Sequence, residues 1–116
     1  MTDNSPLRPL EALQQTILAR QAAATSEKSY TAQLLAGGVE RIGAKIVEEA
    51  AEIVEAAGEP GEQGRQHTIR EAGDLIYHLL VLLASRDIRL EEVEAELQRR
   101  FGVSGLEEKA SRSENT

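Results

Sequence analysis

A chain of 116 residues fits one domain and leaves little room for a second. Its 20 acidic and 13 basic side chains give a net charge of -7, which argues against binding a nucleic-acid backbone. There is no cysteine, so disulfides, thiolate metal sites and a cysteine nucleophile are excluded as well.

One Phe, two Tyr and no Trp, beside many Ala, Leu, Glu and Ile, suit a helical bundle better than a sheet. Residues 1–9 read as a flexible lead-in, with Pro6 and Pro9 blocking any earlier helix. The opening MTDNSPLRPLEALQQ lacks the basic-then-apolar pattern of a secretory signal, so a cytoplasmic protein is expected. A first helix is predicted from Leu10 to Ala24, with Leu10, Leu13, Ile17 and Leu18 on its apolar face. Ser29 reads as the N-cap of a short helix from Tyr30 to Ala36, closed by Gly37 and Gly38. A longer helix follows from Val39 to Ala57. On it Val39, Ile42, Ile46 and Ile53 keep three-to-four spacing, and Gly58 ends it.

Residues 58–64 (GEPGEQG) read as a turn-rich connection, short enough to make the flanking helices antiparallel neighbours. The next helix is predicted from Gln66 to Ser85. Its stretch Leu75 to Ala84 is too short to span a bilayer, yet apolar almost all round. Either this chain or a partner subunit must cover it. A last helix, Leu90 to Arg100, points Val93 and Leu97 inward, and residues 101–116 form a charged tail. The expected fold is therefore all-α: an antiparallel bundle of four to five helices over residues 10–100, its core completed by homo-oligomerisation, with a homodimer the simplest form.

The chemistry lies on the two long helices. One carries Glu48-Glu49-Ala50-Ala51-Glu52, the other Glu71-Ala72-Gly73-Asp74. At about 100° per residue, Glu48, Glu49 and Glu52 share one side of the first, and Glu71, Asp74 and His78 share one side of the second. Gathering four carboxylates beside an apolar segment costs several kcal/mol unless a cation or protons neutralise them. Oxygen donors without thiolates select Mg²⁺, with Mn²⁺ as a substitute. The competing reading is a solvated acidic face. A di-iron bundle is disfavoured, because neither acid pair supplies the expected E-x-x-H.

The pattern E-E-x-x-E, 18 residues, then E-x-x-D resembles that of the all-α, MazG-like nucleotide pyrophosphohydrolases. Flanking segments resemble, more narrowly, the phosphoribosyl-ATP pyrophosphohydrolase family of histidine biosynthesis. These are Ser29-Tyr30-Thr31 with Leu34-Leu35, Lys45 leading into the first acids, Glu71 through Leu80, and Ser104 through Ala110. Gly73 stands where that family generally has Ala, which suggests close helix packing there or simple drift.

The resemblance implies hydrolysis of phosphoribosyl-ATP to phosphoribosyl-AMP and pyrophosphate by Mg²⁺-assisted attack of water. It implies Glu49, Glu52, Glu71 and Asp74 as metal ligands. Glu48 either orients or deprotonates the water, supports the ligands from outside, or is simply solvated. Lys45 either holds a phosphate or pairs with Glu49, and His78 is either a buried hydrogen-bonded core residue or a substrate contact. Lys28, Ser29 and Tyr30 are candidate substrate contacts, with Ser29 equally a helix cap. Arg99, Arg100, Lys109 and Arg112 either meet the second phosphorylated ribose or are solvated. With no length for a cyclohydrolase domain, the next step is expected on a separate phosphoribosyl-AMP cyclohydrolase. Two alternatives stand beside this reading: a house-cleaning nucleoside triphosphate pyrophosphohydrolase, and a non-catalytic helical interaction module.

Overall fold

The computed structural model describes residues 6–23 and 29–102. They form four helices: α1 (Pro9–Ala22), α2 (Tyr30–Ala57), α3 (Gly61–Ser85) and α4 (Leu90–Phe101). No strand occurs among the described residues, so the fold is all-α.

Pro9 does not precede α1 but opens it, since proline fits the first helical turn, where its missing N–H needs no partner. Ser29 caps α2 as expected, its side chain accepting from the Ala32 amide at 3.2 Å. The break expected at Gly37-Gly38 is a kink rather than a gap. Gly38 takes φ 73 and ψ -170, a conformation open to a residue without Cβ, and helix resumes at once on both sides.

The connection between α2 and α3 is shorter than predicted. The GEQG sequence that reads as turn is the first turn of α3, which begins at Gly61. Pro60 at the cap and Gly64 make this fit. A Cβ on Gly64 would stand 2.1 Å from the Glu59 carbonyl oxygen, so only glycine lets the turn close so tightly. The tight turn makes α2 and α3 an antiparallel hairpin, and α1 packs across both.

The core is one cluster: Ile17 from α1, Leu34 and Ile42 from either side of the kink, and Leu80, Val81 and Ala84 from α3. Leu13, Leu18, Ile46 and Tyr77 close around it. Some expected core residues lie outside. Leu10 and Val39 are exposed, and on α4 Leu97 is exposed while no residue is fully buried. That helix is held at its start instead. The Gln14 side chain accepts from the Leu90 amide at 2.6 Å and donates to the Glu91 carboxylate at 3.1 Å.

Apolar residues also face outward on the hairpin, Val47 and Val54 on α2 and Ile69, Ile76 and Leu79 on α3. Val54 is 73% exposed, a large apolar side chain that no other described residue covers. Close packing at Gly73 is not found: Gly73 is exposed and a Cβ there would meet open space. No helix among the described residues is long and apolar enough to cross a membrane.

Candidate active site

The hairpin brings Glu49, Glu52 and Glu71 together, each offering an oxygen within 4.8 Å of the others. Burial is graded. Glu49 is only 6% exposed, whereas Glu52 and Glu71 are half-buried. Glu49 Oε2 and Glu71 Oε2 are buried with no hydrogen-bond partner among the described residues. Such atoms are uncommon in folded proteins and point to a missing ligand or proton.

The electrostatics agree. Burial pushes the Glu49 carboxyl up to about 7, helped by a hydrogen bond with Glu71 and by the charges of Asp74, Glu52 and Glu71. Glu52 is raised too, first by its hydrogen bond with Glu71, then by burial and by the charges of Glu71 and Glu48. Like charges that resist ionising together are a site for either a shared proton or a cation. The donor set, all carboxylate oxygen, suits a hard divalent ion.

Asp74 stands apart from the three. It is exposed, and it acts on Glu49 through its charge. Its side chain is one methylene shorter than that of Glu71, and its position is turned about 60° around α3 from Glu71. Glu48 lies outside the group as well, exposed and paired with Lys45 Nζ at 3.3 Å. Lys45 therefore pairs with Glu48, not Glu49, and that hydrogen bond is the first cause of its raised pKa.

His78 sits beneath the carboxylates, 5% exposed. Its Nδ1–H donates to the Asp74 carbonyl at 2.8 Å, so in the neutral ring Nε2 accepts from the Tyr30 hydroxyl at 2.9 Å. Nδ1 is also 3.5 Å from Glu49 Oε1. Of its two readings, the buried and hydrogen-bonded one fits this geometry. Tyr30 and Tyr77 pack around the ring, and the Tyr77 hydroxyl bonds to Thr31. The kink at Gly38 matters here, since it lets Tyr30 and Glu49, from opposite ends of α2, meet the same histidine.

Ser29 is occupied by capping and by a hydrogen bond from Arg20 at 3.1 Å. Arg100 lies on exposed α4, over the Phe101 ring and 4.0 Å from Glu96. Lys28, Lys109 and Arg112, with the segment Ser104 to Ala110, lie outside the described residues.

Sequence reasoning missed His67 and Glu59. His67 Nδ1 donates to Glu59 Oε1 at 2.9 Å, while Nε2 lies 3.4 Å from Glu71 Oε1. The Glu59 hydrogen bond is the first cause of a raised pKa at His67. The signal was available: His67 stands one helical turn before Glu71, within side-chain reach.

An all-helical hairpin that gathers three carboxylates, two of them with a buried oxygen unpartnered among the described residues, defines the class, an α-helical protein with an acidic centre suited to a divalent cation. Comparison with known proteins narrows it. The chain belongs to the phosphoribosyl-ATP pyrophosphohydrolase family, whose model matches residues 10–101. It is 61% identical over 106 residues to a phosphoribosyl-ATP pyrophosphatase of Rhodopirellula baltica, covering 91% of this chain and 88% of the relative. It is 56% identical over 102 residues to phosphoribosyl-ATP pyrophosphatase 1 of Bradyrhizobium diazoefficiens, covering 88% and 92%. The corresponding protein of Trichlorobacter lovleyi is 50% identical over 111 residues, covering 96% and 99%. The chain is thus a hydrolase of this family.

Proposed function

We infer that this protein hydrolyses phosphoribosyl-ATP to phosphoribosyl-AMP and pyrophosphate, the second step of histidine biosynthesis. The observation that carries the mechanism is the trio Glu49, Glu52 and Glu71, with two buried oxygens that no described residue satisfies. Mg²⁺, or Mn²⁺ in its place, supplies positive charge when bound and polarises phosphoryl oxygens.

The chain's own part is to hold and to aim. Glu49, Glu52 and Glu71 would hold the cation, with Asp74 as the fourth carboxylate at the rim. Burial of Glu49 makes its bare charge costly, so a cation relieves repulsion that the fold has built in. Phosphoryl transfer to water asks mainly for positioning and charge stabilisation, which fixed carboxylates on two rigid helices can provide. Glu48, exposed beside the trio, is assigned to orienting the attacking water, and Lys45 beside it to a substrate phosphate. His78, held by Tyr30 and by the Asp74 carbonyl, packs against Glu49.

Lys28, Ser29, Arg100, Lys109 and Arg112 are proposed to meet the rest of the substrate. Within this proposal the protein is cytoplasmic, residues 101–116 act as a tail to the helical domain, and a separate phosphoribosyl-AMP cyclohydrolase takes the product. The exposed apolar residues Val47, Val54, Ile69 and Ile76 support a homodimer that covers these faces.

The direct test is turnover. Glu52→Gln and Asp74→Asn are each expected to lower pyrophosphate release from phosphoribosyl-ATP by at least about 100-fold, with helical circular dichroism unchanged. Full turnover in these variants would remove the ligand assignment. A wild-type preference for free nucleoside triphosphates would remove the substrate.

A further inference from the structure

His67 lies beside the carboxylate trio, in contact with Glu71, without belonging to it. Its Nε2 is 3.4 Å from Glu71 Oε1, and its Nδ1–H donates to Glu59 Oε1 at 2.9 Å. Glu59 is itself fixed by the turn between α2 and α3, where its carbonyl and Cβ press against Gly64. A line of contacts therefore runs from the turn through Glu59 and His67 to Glu71. The remaining oxygen of Glu71, Oε2, is the one buried with no partner. A glutamate carboxylate turns freely about its last torsion unless something holds it.

We propose that His67, flanked by two carboxylates and carrying a proton on each ring nitrogen, is a positioning residue: through Nε2–H it holds Oε1 of Glu71 and thereby presents Oε2 to the point shared with Glu49 and Glu52. The proposal rests on reading that trio as the metal centre. Partners of this kind commonly change metal affinity by about 10–100-fold when removed, because they fix the direction of the ligand. Glu59 is then the anchor of His67, and the tight turn at Gly64 is what keeps the anchor in place.

Two substitutions separate the ring nitrogens. His67→Gln carries an amide N–H near the position of Nε2 and so can still reach Glu71. His67→Asn carries one near Nδ1 and can reach only Glu59. Mn²⁺ affinity of the full chain is read from the electron paramagnetic resonance of free Mn²⁺, with melting temperature as a check on folding. The expected result is a loss of about tenfold or more for His67→Asn and retention within about threefold for His67→Gln. Equal loss in both, equal retention in both, or the reverse order would each overturn the positioning of Glu71 through Nε2. Wild-type protein that binds no Mn²⁺ overturns the metal reading, and this proposal with it. Wild-type binding that Glu52→Gln weakens but His67→Asn leaves intact overturns the role of His67 alone.

Discussion

The two ends of the α2–α3 hairpin use the same helices for opposite purposes. Near the Gly38 kink, Leu34, Ile42, Leu80, Val81 and Ala84 meet Ile17 in an apolar cluster, and the polar groups beside it are paired, Thr31 with Tyr77 and the Ala84 carbonyl with Gln21. Nearer the turn, Glu49, Glu52 and Glu71 converge, and two buried oxygens are left without partners among the described residues. The first end stabilises the fold. The second spends part of that stability to hold like charges close together. A short chain can sustain such a cluster because its neighbouring layers are well packed and the helices are rigid enough not to splay.

That contrast can be tested at either end. The largest effect is expected at the core. Leu34→Ala removes a side chain with no exposure, and should destabilise the fold by about 2–5 kcal/mol in chemical denaturation. Turnover per folded molecule should change far less, since Leu34 belongs to the apolar cluster and not to the carboxylate group. Equal loss of both would mean that the two ends are not separable.

A middle-sized effect concerns the outer face, which belongs to neither end. Ile76→Asp puts a charge on an exposed apolar position of α3. If that face joins two copies, sedimentation should show self-association weakened by about tenfold or more, as for a like-charge pair buried in an interface. A wild-type monomer at the same concentration would sink the homodimer proposal.

The smallest effect is the pH dependence of the metal-free chain. Glu49 carries a folded pKa of about 7 against an ordinary 4.5. An acid whose pKa rises on folding stabilises the fold fully below its unfolded value, and that contribution is lost as pH rises through the folded one. His67, also raised, adds to the loss in the same direction. The melting temperature should therefore fall, by up to about ten degrees, between about pH 5 and about pH 8. Saturating Mg²⁺ should reverse the fall, and Glu49→Gln should flatten it. A flat wild-type profile would show that the carboxylates repel each other less than their burial implies.

Much of this was legible in the residues. The 3.6-residue spacing of Ile42, Ile46 and Ile53, the Ser29 cap and the Gly37-Gly38 break placed the helices to within a few residues. Errors fell where local signals conflict with tertiary ones. GEQG reads as turn because glycine weakens helix, yet packing against Glu59 makes Gly64 part of α3. Leu97 reads as core by spacing, but α4 is fixed at its first turn and leaves that face exposed.

By itself the sequence determined an all-helical chain with two acid pairs on adjacent helices, because side-chain periodicity is written locally. Only the tertiary structure decided which acids meet. Glu49, Glu52 and Glu71 converge, Glu48 turns to Lys45, and Asp74 stays at the rim. It also brought in His67 and Glu59, whose partnership crosses the turn between α2 and α3. The reason is that a helix fixes the angle at which a side chain leaves it, whereas the angle and height at which two helices pack fix what that side chain reaches.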